Sequence, residues 1–155
     1  MQPKSLIFSS IVAELALMAV ILLFLPMLNG AVVGQGALTG HISVYSCGAT
    51  RQKLLLMIPN ILVLVTNIVI LVFATLSMFT AGQVIRSTKA AKAFGIIVIV
   101  SGSFGILVAV VQALAYILLA KTYAVIAFPV LASVLLVMAS LNLHVVQKAA
   151  KQAAM

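Results

Sequence analysis

Leu6-Ile-Phe-Ser-Ser-Ile-Val-Ala-Glu14-Leu-Ala-Leu-Met-Ala-Val-Ile-Leu-Leu-Phe24 is an unbroken apolar run with one carboxylate in its middle, and Glu14 is the only acidic residue of the 155 in the chain. A charged side chain at the centre of a membrane helix costs roughly 2.5–3.5 kcal/mol on insertion scales, so such a group is expected to face protein or water rather than lipid. The run and its flanks, residues 6–28, exceed the ~7–15 apolar residues of a signal-peptide core and are long enough to span a bilayer. The first expectation is therefore a transmembrane helix whose Glu14 is hidden by other helices.

Composition extends that reading to the whole chain. It is 65% hydrophobic and 6% charged, with a mean hydropathy of +1.36. Soluble domains carry about 25% charged residues. A chain in lipid must satisfy every backbone group internally, which leaves helices or a closed barrel. The apolar runs are long and lack the period-2 alternation of barrel strands, so they predict helices. Spans are expected at about 6–28, 54–81, 93–120 and 123–146, forming one all-α, four-helix membrane domain over residues 1–155. Pro59 falls in the first turns of the second expected span, and Pro129 is expected to bend the fourth.

The net charge is +8. In a soluble protein this would suggest nucleic acid. Here the cations sit at span ends, where they snorkel and set topology, and no basic surface interleaved with aromatics is present to hold a phosphate backbone. Lys4, Arg86, Lys89, Lys92, Lys148 and Lys151 fall on one expected side; Arg51, Lys53 and Lys121 fall on the other. That bias places both termini inside, in a cell-surface or an organellar membrane, a mitochondrial one included.

Residues 29–53 form the one substantial loop and hold Gly30, Gly34, Gly36, Gly40 and Gly48. Within it, His41-Ile-Ser-Val-Tyr45-Ser-Cys47 is β-prone between turn signals, and predicts either a short strand on the membrane or a flexible connector. Cys47 is the only cysteine, so no disulfide within the chain and no zinc cluster is expected.

Three sets of polar or small residues are candidates for function. Ser101, Gly105, Ala109 and Ala113 repeat every four residues in the third span, a small-residue stripe that lets another helix approach closely, within this chain or from another. Asn60 and Asn67, seven apart, share a helix face and are expected to hold helices together rather than bind a substrate. Thr75, Ser101, Ser103, Ser140 and Asn142 fall near the depth of Glu14 and are expected to surround it as a polar layer. Glu14 then acts either as a protonated carboxyl holding two helices together or as a proton or cation site. The second option lacks another acid to relay a proton. Two-carboxylate catalysis is excluded by the single acid. His41 and His144 lie near opposite faces and cannot share a metal, and a Cys47–His41 dyad has no third group to orient it. No enzyme activity, metal or cofactor is expected.

The pattern resembles the claudin-type four-span proteins, a group that includes the amastin surface proteins. The resemblance rests on Ile42-Ser43-Val44-Tyr45-Ser46-Cys47, similar to the aliphatic-aromatic-then-Cys segment of the group's first outer loop, and on the Gly-containing third span, with Gly95, Gly102 and Gly105. Tyr45 stands where the group usually has Trp, Cys47 lacks the group's second loop cysteine, and the second outer loop shrinks to Lys121-Thr122. The resemblance implies a structural or adhesive role. The expected function is a non-enzymatic four-span protein that packs with lipid and with other membrane subunits or copies of itself, either as a self-associating surface protein or as an accessory subunit of a larger complex. The competing class is a small proton or cation channel or transporter using Glu14.

Overall fold

The computed structural model describes residues 3–23, 28–29, 41–42, 51–120 and 124–154. Its elements in order are α1 (Pro3–Leu23), β1 (Leu28–Asn29), β2 (His41–Ile42), α2 (Arg51–Ala81), α3 (Thr88–Ala120), a single 3-10 turn (Ala124–Ile126) and α4 (Ala127–Ala154). Each of the four helices contains a stretch long and apolar enough to cross a membrane, as expected. They pack in an up-down-up-down ring in which α1 contacts α2 and α4, α3 contacts α2 and α4, and α1 and α3 lie on the diagonal.

Helix ends depart from the expected spans for local reasons. α1 starts at Pro3, because proline is accommodated in the first helical turn, where its missing N–H had no partner anyway. α3 starts at Thr88, five residues before the expected 93. Ser87 caps it: its Oγ accepts from the Ala90 backbone N–H at 3.1 Å. The stretch after it, Thr88-Lys-Ala-Ala-Lys-Ala93, is rich in good helix formers. α2 starts earlier than expected too, at Arg51, which places Pro59 well inside the helix rather than in its first turns. Proline there removes one backbone hydrogen bond. Pro129, expected to bend the fourth span, instead lies in the first turn of α4, just after the 3-10 turn, where its missing donor costs nothing.

The α2–α3 connection is a tight cap. Val84 N–H donates to Phe79 C=O at 2.9 Å and Gln83 N–H to Thr80 C=O at 3.1 Å, the pattern of a Schellman motif. Gln83 takes the left-handed conformation, φ 63°, that glycine usually fills. In the first loop, β1 and β2 pair antiparallel, Leu28 opposite Ile42 and Asn29 opposite His41. Part of the β-prone stretch is thus a strand; Tyr45 and Cys47 lie outside the described residues.

Buried positions recur at alternating steps of four and three. On α1 they are Ser5, Ser9, Val12, Ala16, Ala19 and Leu23. On α3 they include Gly95, Val98, Gly102, Gly105, Ala109, Gln112 and Tyr116. A 3.5-residue repeat is the seam of helices that coil around one another. The core has two apolar layers, one around Val12, Ala16, Ile70, Ala74, Val98 and Leu135, the other around Leu23, Val63, Val108, Tyr116, Val125 and Phe128. Outside, large apolar side chains are exposed on every helix, among them Ile21, Val65, Leu107 and Val137. Small and polar residues among the buried positions, with large apolar side chains exposed outside, suit lipid, where backbones approach through small residues.

Candidate functional site

Glu14 is exposed on the outer face of α1. This corrects the expectation that the bundle hides it. The cause is the α1 seam: at about 100° per residue, position 14 lies about 200° from Val12, on the side away from the core. Ile7, Leu17, Met18 and Ile21 share that outer surface.

The polar layer expected around Glu14 does not form. Ser140 Oγ donates to Leu136 C=O at 2.9 Å, Ser103 Oγ to Ile99 C=O at 2.9 Å and Thr75 Oγ1 to Leu71 C=O at 2.8 Å. Each hydroxyl therefore bonds four residues back in its own helix, the local alternative that serine and threonine always have. Ser140 and Ser103 are exposed and Ser101 is half-buried.

Polar groups instead make two internal nodes. Near the cation-rich end, Ser5 Oγ donates to Asn142 Oδ1 at 2.7 Å, joining α1 to α4. Ser9, Ser77, Gly95 and Asn142 line a small void beside it, and the Ser9 and Ser77 hydroxyls, both nearly fully buried, have no hydrogen-bond partner among the described residues. Toward the other end, Gln112 Nε2 donates to Asn60 Oδ1 at 2.6 Å, joining α3 to α2. Both residues are 0% exposed, and Asn60 Nδ2 and Gln112 Oε1 are without partners among the described residues.

Asn60 thus holds two helices together, as expected. Asn67 does not: its Nδ2 bonds to Val63 C=O at 2.8 Å in its own helix, and its side chain lines a small, largely apolar cavity with Gly102 and Gly105. Asn142 pairs with Ser5 rather than joining a layer around Glu14. Ser5 and Gln112 escape the sequence reading, Ser5 because it sits beside Lys4 near the chain start, Gln112 because it is one amide in an apolar run. The signal for Gln112 is its spacing, seven residues from Gly105 and on the same seam.

Of the stripe Ser101, Gly105, Ala109 and Ala113, the last three are buried. The contacts are within the chain. A Cβ on Gly105 would lie 3.1 Å from Thr66 Cγ2, one on Gly102 3.3 Å from Leu136 Cδ1, and one on Gly95 3.0 Å from Leu143 Cδ1. The seam of closest approach is therefore Gly95, Gly102 and Gly105, and it serves α2 and α4. His41 sits in β2, and His144 is exposed near the end of α4.

Both internal nodes are built from neutral hydroxyls and amides. Such groups fix helix register and rotation, because breaking one pairing leaves a buried polar atom unsatisfied. No protein family, no curated protein and no solved structure matches this chain.

Proposed function

We propose that this four-span membrane protein is a non-enzymatic packing subunit, and that the outer face of α1 docks on a transmembrane helix of another polypeptide. The observation that carries the reading is Glu14, exposed between Ile7 and Ile21 in the middle of α1. Left in lipid, an ionised carboxylate at mid-helix is costly. A neighbouring helix that offers a donor or a cation removes that cost. Among the described residues, Thr75, Ser103 and Ser140 bond to their own helices and Asn142 pairs with Ser5, so the partner we assign to Glu14 comes from another polypeptide. Self-association of the claudin-like kind and membership of a mixed complex are the two forms of this role. The cation-rich end, with Lys4, Arg86 and Lys148, is taken to face the inside by charge bias.

The test is native mass after gentle extraction, for wild type, Glu14→Gln and Glu14→Leu. The reading expects a complex larger than one chain, retained in the Gln variant and weakened in the Leu variant. A monomer in the wild type contradicts it. A wild-type proton leak in reconstituted vesicles, well above empty vesicles and lost in Glu14→Gln, would replace it with the transport reading.

A further inference from the structure

The end of the bundle formed by the start of α1, the α2–α3 turn and the end of α4 carries Lys4, Arg86, Lys89, Lys92, Lys148 and Lys151, all exposed. Gly95 packs on Leu143, which sets the register of the antiparallel helices α3 and α4. Counting outward from that contact, Lys92 lies level with residue 146 and Lys89 with residue 149. Lys89, Lys92, Lys148 and Lys151 therefore crowd into the last ~12 Å of two neighbouring helices, whose axes are about 8–10 Å apart. That is close to the ~8 Å screening length at physiological salt, so their charges are not independent.

Among the described residues, no acidic side chain relieves this crowding. The only acid, Glu14, is nine residues further along α1 than Ser5, ~14 Å toward the bundle centre, and it faces outward. At the foot of the same end, Thr80, Gln83, Arg86, Ser87, Thr88 and Lys89 line an open surface groove with two cations and several hydrogen-bonding side chains. Val84, 76% exposed, stands beside it at the tip of the turn.

We propose that this end of the bundle is a binding surface for anionic phospholipid headgroups, whose phosphodiester charges serve as counter-ions to Arg86, Lys89, Lys92, Lys148 and Lys151. A lipid rather than a soluble anion is the occupant because these cations stand at the ends of helices long and apolar enough to cross a membrane, where headgroup phosphates are the anions that the bilayer itself supplies. The inference rests on the membrane fold alone and stands apart from the assembly role of Glu14.

The experiment ejects the protein from nanodiscs of equal phosphatidylcholine and phosphatidylglycerol, with matched acyl chains, into a native mass spectrometer and counts retained lipids. Wild type is expected to retain phosphatidylglycerol several-fold over phosphatidylcholine. Replacing Lys89, Lys92, Lys148 and Lys151 together with Gln should bring the two to parity, while the same four positions as Arg should keep the enrichment. Raising salt from low to high in wild type should lower the enrichment, a readout that needs no variant to fold. Parity in wild type, enrichment undiminished in the Gln variant, or loss of enrichment to millimolar inorganic phosphate would each overturn the proposal.

Discussion

Asn60 and Gln112 meet across α2 and α3 with no water-facing surface, and their single hydrogen bond leaves an amide N–H on one and a carbonyl oxygen on the other without partners. Removing one member alone increases that deficit. Asn60→Leu strands the Gln112 amide and should cost about 1–3 kcal/mol, the penalty of an unsatisfied buried polar group. Replacing both with Leu should cost clearly less than the two single changes together, since the deficit vanishes with its owners. Unfolding in mixed detergent micelles, followed by helicity, measures all four forms. Glu14 teaches the opposite lesson at the same scale. Its chemistry draws attention to it, yet chemistry does not determine which way it points. Rotation about the helix axis does, and that follows from the seam of its neighbours.

At the scale of the element, α3 shows a stripe whose members Gly105, Ala109 and Ala113 are buried while Ser101 is half-buried. Ser101, Gly105, Ala109 and Ala113 repeat every four residues, and a strict repeat of four rotates by about 40° per step. The packed face alternates threes and fours and so stays aligned, taking in Gly95, Gly102 and Gly105 and leaving Ser101 at its edge. Gly102→Leu should therefore destabilise the bundle by about 1–3 kcal/mol, the usual cost of overpacking. Ser101→Leu should cost less, and Leu107→Ile, on the exposed face, should be mild. The same micelle unfolding assay ranks them, and equal effects at 101 and 102 would refute the seam. Helix existence was legible in the apolar runs because bilayer thickness imposes it. Helix starts were less legible, because caps such as Ser87 add turns that hydropathy does not register.

For the whole molecule, the order is that of a membrane protein: small residues, hydroxyls and amides share the interior with Val, Leu and two aromatics, and many large apolar side chains stay exposed on the outside. Fold class, span number and the cation-rich end were readable from composition and charge position. The internal partners of Ser5, Asn60, Gln112 and Asn142 were not, since pairings between residues 52 and 137 positions apart depend on helix rotation and register. The same dependence on rotation turns Glu14 outward in the fold, where hydropathy alone predicts it inside. Its outward position makes the central claim, that α1 presents Glu14 to another polypeptide, open to a direct test. A photo-crosslinking amino acid is placed at position 14 in the native membrane and, for comparison, at Leu107 on the diagonal helix α3. The account predicts a covalent adduct with a second polypeptide from position 14 and mainly lipid adducts from position 107. Products from position 14 confined to lipid or to its own chain would contradict it.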